Sequence, residues 1–404
     1  MNELLTKGIG HTEFKDSPVG KIPVGWEVKE LVQVGRCIRG LTYSPDNVVE
    51  NGLLVLRSSN VQDGRLLFED NVYVDLKVGD EYLSKNGDIL ICVRNGSRRL
   101  LGKSATITSN CPKSTHGAFM TVFRGELNFY VKHLMKSEMF FRQVSIDIGA
   151  TINSINNSNL LQFRFSFPSL PEQQKIASIL TSVDEVIEKT QSQINKLQDM
   201  KKGTMNELLT KGIGHTEFKD SPVGKIPVGW DIVELGSLCG FTQGVQIPLS
   251  DTLRKETDGY IRYLYINDFS SDKKLRFVRN EYSEKIVTTK DLVMANTGHT
   301  AGSVFRGKHG VLSNNAFKIS VNEKIIPEYL YYYLTTDDYW IQIGRLFNSA
   351  GQPHVGHGNI AKLNFLCPSI YEQSEVVNIL FSIEQNIEEK QRKLEQTQSL
   401  KKSL

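Results

Sequence analysis

Two stretches of this sequence carry cations and amides without a single carboxylate. Between Asp88 and Glu126 lie Arg94, Arg98, Arg99, Lys103, Lys113 and Arg124, with Asn95 and His116 among them. Between Asp291 and Glu323 lie Arg306, Lys308 and Lys318, with Asn296, Thr297, His299, His309, Asn314 and Asn315. The windows correspond. Each follows a similar strand-like run (Gly87-Asp88-Ile89-Leu90; Lys290-Asp291-Leu292-Val293) and ends near an Ala-Phe pair (Ala118-Phe119; Ala316-Phe317). A surface without carboxylates suits a polyanion, because every nearby acid would repel a phosphate. Guanidinium and amide groups can also read base edges. A solvated basic loop has the same composition, so it is the recurrence at matched positions that favours nucleic acid. A third acid-free stretch, Tyr339 to Tyr371, carries Asn348, Gln352, His354, His357 and Asn359; its counterpart carries Asn153, Ser154, Asn156, Asn157 and Asn159. These are weaker candidates, since amides also serve ordinary turns.

Reactive chemistry is hard to find. Gly102-Lys103-Ser104 evokes a phosphate-binding loop, but the required glycine five residues before Gly102 is Ser97. His354 and His357 form an isolated HxxH, with Cys367 the only further ligand type nearby, and zinc needs three or four ligands. There is no GxSxG elbow. No Asn-Pro-Pro-aromatic or Asp-Pro-Pro-aromatic tetrapeptide occurs, and no nuclease carboxylate–lysine cluster stands out. The expectation is a reader with no catalytic residues, no metal and no cofactor of its own.

What positions the two windows is a repeat. Residues 1–26 return unchanged at 205–230, and Pro168, Glu172 and Gln173 return as Pro368, Glu372 and Gln373. Unlike segments, 27–170 and 231–370, lie between the shared ones, each of domain size. The reading is therefore a shared segment at 1–26, a variable domain at 27–170, a helix and linker at 171–230, a second variable domain at 231–370 and a distal helix at 371–404. Ser169-x-x-Glu172 and Ser369-x-x-Glu372 fit the capping box of a helix start. Apolar residues then recur at steps of four and three: Ile176, Leu180, Val183, Ile187, Ile194 and Leu197 in one copy; Val376, Leu380, Ile383, Ile387 and Leu394 in the other. That is a heptad seam, interrupted by Thr190, Lys201 and Thr204. A helix over Glu172–Leu209 would run roughly 55 Å at ~1.5 Å per residue, with Gly212 as its stop and Gly203 as a weak point. The second helix runs out at Leu404, and its missing end, MNELLTKG, stands at the other terminus. The chain reads as a circular object cut open in the shared segment, its two like helices packed antiparallel.

Short β-rich runs fill both variable segments, and Leu127–Leu134 and Glu328–Leu334 read as helices. The fold class is α+β. Tyr329 and Tyr331–Tyr333 fit the face of a core helix better than a base-stacking platform. The net charge of +3 permits an anionic partner without requiring one. Five scattered cysteines without a CxxC argue against a disulfide framework. The first residues lack the apolar stretch of a signal peptide, and no apolar run is long enough to span a bilayer, so the expectation is a cytoplasmic protein with no membrane partner.

This layout resembles the DNA specificity subunits of type I restriction–modification systems over essentially the whole chain. The resemblance rests on the P-x-x-x-E-Q-x-x-[IV] helix start at Pro168–Ile176 and Pro368–Val376, the strand at Gly87–Leu90, and the K-x-P-x-G-W motif at Lys21–Trp26 and Lys225–Trp230. In the second copy Lys290 stands in place of Gly87. The resemblance implies two target recognition domains, each reading half of a split sequence in double-stranded DNA, and helices that set the spacer. It also implies docking of two methyltransferase subunits, which bind S-adenosylmethionine and methylate adenine. Restriction subunits that translocate DNA, with ATP and Mg²⁺ on the partners only, complete the complex. Two other classes fit the sequence: an unpartnered DNA-binding decoy that blocks a restriction complex, and a coiled-coil scaffold without DNA function.

Overall fold

The computed structural model of the protein describes residues 2–148, 153–347 and 353–404. The chain forms two units, Met1–Gln191 joined by Arg392–Leu404, and Ser192–Gln391. The first unit thus contains both chain ends, and it joins them. A short helix, Asn2–Thr6, takes up where the distal helix stops: the Leu4 amide donates to the Leu404 carbonyl at 2.6 Å. Leu5 is fully buried beside that junction, as is its copy Leu209 inside an unbroken helix. Both copies then end on a glycine in the left-handed region, Gly8 (φ 68°) and Gly212 (φ 70°), the stop expected from sequence. Gly203 does not interrupt the central helix, which covers Leu170–Lys211.

The distal helix covers Ile370–Ser403. Along the seam Ile176, Leu180, Val376 and Leu380 are fully buried, Ile194, Ile383, Ile387 and Leu394 nearly so, and Val183, Ile187 and Leu197 half-buried. Thr190 and Lys201, two of the seam's polar positions, have partners. Thr190 is buried and donates its hydroxyl to the Val186 carbonyl at 2.7 Å. In the second unit Lys201 meets Glu384 at 2.7 Å and Lys390 donates to Gln193 at 2.9 Å, which sets an antiparallel register. In the first unit Lys401 meets Asp184 at 2.5 Å. Burial raises the Asp184 carboxyl, but Lys401 and Lys136 outweigh it and hold it below the ordinary carboxylate range.

Each unit carries two four-stranded sheets on one plan. In the first, the order Ser104–Thr106, Ile89–Cys92, Met120–Arg124, Arg36–Arg39 is antiparallel throughout. In the second unit Val304–Arg306, Leu292–Ala295, Ala316–Val321 and Cys239–Gln243 repeat it. Ile89–Cys92 is apolar at every position because both faces are covered. Ile89 and Ile91 join the core beneath the helices Asn128–Leu134 and Glu138–Asp147, while Leu90 and Cys92 face Leu54 and Leu56 of the other sheet. That other sheet pairs Leu53–Leu56 in parallel with Ser114–His116, and in the second unit Tyr260–Leu264 with Gly310–Leu312. The edges differ: Val48–Val49 adds beside Tyr73–Val74, whereas Ile286–Val287 adds beside Gly310–Leu312. The sheets cross closely where a Cβ on Gly40 would strike the Gly117 carbonyl, and one on Gly244 the Ser313 carbonyl. Asp88 and Asp291, which bound the acid-free windows, are structural. Asp88 takes Arg124 and the Lys85 amide, and Asp291 takes Lys318 and the Thr288 amide. Tyr329, Tyr332 and Tyr333 are core, as expected.

The incoming strand Glu27–Glu30 pairs with the outgoing strand Arg164–Phe167, and Asp231–Glu234 with Asn364–Cys367. Each pair forms a stem that leads straight into a long helix. The recurring segment locks that stem. Glu172 accepts the Ile9 amide at 3.1 Å and the Trp26 indole N–H at 3.1 Å, and lies 2.8 Å from His11 Nε2. Glu372 gathers Ile213, His215 and Trp230 at 3.0, 2.8 and 2.9 Å. The expected capping box is thus half right. Ser369 Oγ accepts the Glu372 amide at 3.3 Å, but both carboxylates turn to the shared segment, which offers three donors in place of one. A Cβ at Gly8 would sit 2.5 Å from Glu172 and 2.6 Å from the Trp26 ring. Glu172→Ala leaves the buried indole N–H of Trp26 without its acceptor. The expected cost is about 2 kcal/mol, read as a lower urea midpoint for the transition of the first unit; an unchanged midpoint would show that the lock contributes no stability.

Candidate nucleic-acid interface

In the first unit the strand Ile89–Cys92 runs out into the loop that carries Arg94. There it meets the amide-rich loop that precedes the helix Asn157–Leu161. The Ile155 amide donates to Val93 at 2.8 Å, Arg94 bridges Ser154, and Asn153 donates its side chain to the Gly96 carbonyl at 3.1 Å. Two segments some sixty positions apart in sequence thus form one edge. Arg94 is exposed, its guanidinium 5.9 Å from the centre of the half-exposed Phe119 ring. Arg98 and Arg99 are exposed on the next turn, and Lys113 on another loop. Beside Arg94 lies a cleft of about 340 Å³, lined by Arg39, Thr42, Ser154, Asn156, Asn157 and Ser158 and by no carboxylate. Arg39 is a cation that the windows missed, because it precedes Asp88 in sequence and joins the edge only through sheet pairing with Thr121.

The second unit builds the same edge in the same register from other side chains. Val355 donates to Asn296 at 2.8 Å, Thr297 bridges His354, and Gly298 donates to Pro353 at 3.0 Å. The strand positions before the bridges, Val93 and Asn296, match. Asn296 is buried and donates to the Asn314 carbonyl at 3.1 Å; Thr297 donates to Asn296 at 3.1 Å; Asn314 donates to Gln246 at 3.3 Å. Asn315, His299, His309 and His354 are exposed. This edge is neutral, an amide and imidazole surface where the first is arginine-rich. Gln352 and Asn348 lie outside the described residues.

Several expected contact residues face elsewhere. Lys103 donates to the Ser58 and Val61 carbonyls inside the first unit. His116 is buried in its sheet with Nε2 2.9 Å from the Ile38 carbonyl. Asn95 is spent on Ser58 at 3.0 Å and on the Ser97 amide at 2.9 Å. Arg306 stacks on Tyr331 at 4.6 Å and pairs with Glu384 at 3.2 Å, which turns it toward the long helices. Lys308 is held by the Asp268 carbonyl at 2.6 Å and Asp272 at 3.1 Å. The physical reason is much the same for each: a partner from elsewhere in the fold, which a local charge count does not see.

No group of His, Cys, Asp and Glu that could hold a metal occurs among the described residues. Nor is any described helix long and apolar enough to cross a membrane. The five cysteines are free thiols, and burial pushes Cys37 and Cys239 up to about 12, away from nucleophilic use.

A family model described as "Type I restriction modification DNA specificity domain" matches residues 23–199 and again 227–397, one match on each repeat. Among named relatives, the MjaX specificity subunit, described as that of a putative type I restriction enzyme from Methanocaldococcus jannaschii, is 28% identical over 414 residues, covering 97% of this chain and 94% of the relative. The StySPI specificity subunit from Salmonella potsdam is 24% identical over 389 residues, covering 89% and 82%. Of solved structures, a type I restriction-modification S subunit from M. genitalium gives a TM-score of 0.61 at 14% identity and covers 94% of each chain. A chain from a study of complex assembly and conformational transition of the type I system gives 0.54 at 15% identity, covering 94% of this chain and 96% of that one. These two likenesses establish the fold.

The buried imidazoles add no positive charge to either edge. Burial lowers His116, and it drives His133, 3.1 Å from the Thr181 hydroxyl, down to about 3. An unfolded histidine titrates near ~6.5, so below that pH the unfolded chain takes up a proton that the folded one refuses. Stability present above pH ~6.5 is therefore lost as pH falls toward 3, by on the order of 1 kcal/mol per pH unit for His133. Thermal melts between about pH 7.5 and 5.5 should fall more steeply for the wild type than for His133→Gln. Parallel curves would contradict a neutral, buried His133.

Proposed function

Because the chain belongs to the type I restriction–modification DNA specificity family, we propose that its two units carry two readers, 27–170 and 231–370, each recognising one half of an asymmetric, interrupted DNA site. The chain is the recognition component and is not itself an enzyme; it works with methyltransferase and restriction subunits. In this reading the segments 171–230 and 371–404, with 1–26 completing the latter, set the gap between half-sites and receive the methyltransferase subunits. S-adenosylmethionine, ATP and Mg²⁺ then belong to the partners, and the setting is the cytoplasm.

The observation that carries the reading is the repeated edge. The bridges Arg94–Ser154 and Thr297–His354 each lie two residues beyond the corresponding strand of their unit, Ile89–Cys92 and Leu292–Ala295, yet present different chemistry. A constant frame with changed side chains is what two half-sites of different sequence need. In the first edge Arg94, Arg98 and Arg99 supply phosphate contacts and base-edge donors, with Lys113 as a further phosphate contact. In the second, Thr297, His299, Asn314, Asn315 and His354 supply hydrogen-bonding groups, with His309 at its flank.

Cells that express the chain with a cognate methyltransferase subunit are expected to carry an interrupted adenine-methylation motif. The triple change Arg94→Gln, Arg98→Gln, Arg99→Gln should weaken binding of the assembled complex to that motif at least about tenfold. Absence of any such motif would leave a decoy or a scaffold, and full affinity in the triple variant would remove these arginines from the interface.

A further inference from the structure

The second unit holds a cationic pocket that its acid-free window does not include. The pocket measures about 550 Å³, and Arg254, Lys273, Lys274, Arg276, Tyr265 and Asn267 line it together with Leu275 and Asp268. Reciprocal backbone bonds between Leu253 and Phe277, at 2.8 and 2.9 Å, set Arg254 directly across from Arg276. Like charges in that position repel. Among the described residues none of the four cations has a carboxylate within 4.0 Å, whereas Arg262, Arg306, Lys308 and Lys318 in the same unit all have one. The nearby acids are already engaged. Asp268 is buried, accepts the Tyr265 amide at 2.8 Å and faces Arg262 at 3.5 Å; Asp272 binds Arg262 and Lys308.

The pocket adjoins the neutral edge. Tyr265 follows the strand Tyr260–Leu264, and the Leu264 carbonyl accepts the Ser313 amide at 3.0 Å, one residue before Asn314 and Asn315. The first unit is mixed in charge at the matching place. Arg57 stands where the second unit has Tyr265: its amide is held by Asn60 at 2.9 Å, as that of Tyr265 is held by Asp268. The cleft beside it is lined by Glu69, Asp70 and Lys103, and Asp70 takes Arg57 at 2.9 Å. At this place the first unit pairs its arginine with Asp70, whereas among the described residues the second leaves four cations without a carboxylate within 4.0 Å.

We propose that the Arg254–Arg276 pocket binds a backbone phosphate of the target duplex and is the electrostatic anchor of the second reader. This rests on the reading of the chain as a DNA specificity subunit. Phosphate contacts position a protein without reading sequence, so the pocket sets affinity while the neutral edge selects bases.

The test uses the full chain assembled with its methyltransferase subunits and a labelled duplex that carries the methylated motif, titrated across a salt series. The variant Arg254→Gln, Lys273→Gln, Lys274→Gln, Arg276→Gln should bind more weakly. Its slope of log affinity against log salt should be shallower by about 0.9 for each phosphate that the variant no longer neutralises, and its methylated motif should be unchanged. The charge-retaining Lys273→Arg, Lys274→Arg should behave as wild type. Wild-type affinity and slope in the quadruple variant would overturn the inference alone, as would an equal loss in the charge-retaining pair. A wild-type complex that does not bind the duplex at any salt concentration would overturn the DNA reading and the pocket with it.

Discussion

One carboxylate at the start of each long helix holds the surrounding unit together. Glu172 and Glu372 each gather a backbone amide, an imidazole and a buried indole from the recurring segment. Trp26 and Trp230 stand immediately before the incoming strands, which pair with the outgoing strands, which lead back to the helices. The path from helix to indole to stem to helix is closed. Everything between the two strands of a stem can change without disturbing that circuit. This accounts for the recurrence of the glycine turn, the histidine and the tryptophan: each is fixed by contact with one side chain, and each copy has the same side chain to meet.

The polar seam extends that logic along the helices. In the first unit Asp184 meets Lys401 and faces Lys136; in the second Glu384 meets Lys201, the Tyr332 hydroxyl at 2.8 Å and Arg306. The seam carboxylate thus binds both the opposite helix and its own globular part. Ion pairs at half-buried positions contribute little net stability, but they oppose sliding of one helix along the other. A heptad seam with polar positions at Thr190 and Lys201 has one register, where an all-apolar seam has several.

Much of this was legible in the sequence because it is periodic or repeated. The heptad positions follow from spacing, the closure of the two chain ends from the repeat, the glycine stop at Gly212 from residue type, and the core role of Tyr329 from its aromatic cluster. The two candidate loops, around Arg94 and around Ser154, were also visible, although their union into one edge is a product of the sheet. What could not be read was pairing at a distance. Lys103, His116, Arg306 and Lys308 look available in a local window, yet their acceptors lie on other segments. Arg254, Lys273, Lys274 and Arg276 were hidden for the converse reason. They sit among Glu256, Asp258 and Asp272 in sequence, and folding turns Asp272 to Arg262 and Lys308, leaving the four cations without a carboxylate within 4.0 Å among the described residues.

If each stem carries a self-contained reader of one half-site, exchange of one reader alters one half of the recognised site alone. The direct measurement is the methylome of cells in which residues 27–170 have been exchanged for the corresponding segment of another family member, with both glutamate locks retained. One half of the methylated motif is expected to change while the other half and the gap between them persist. A change in both halves, or in neither, would contradict it.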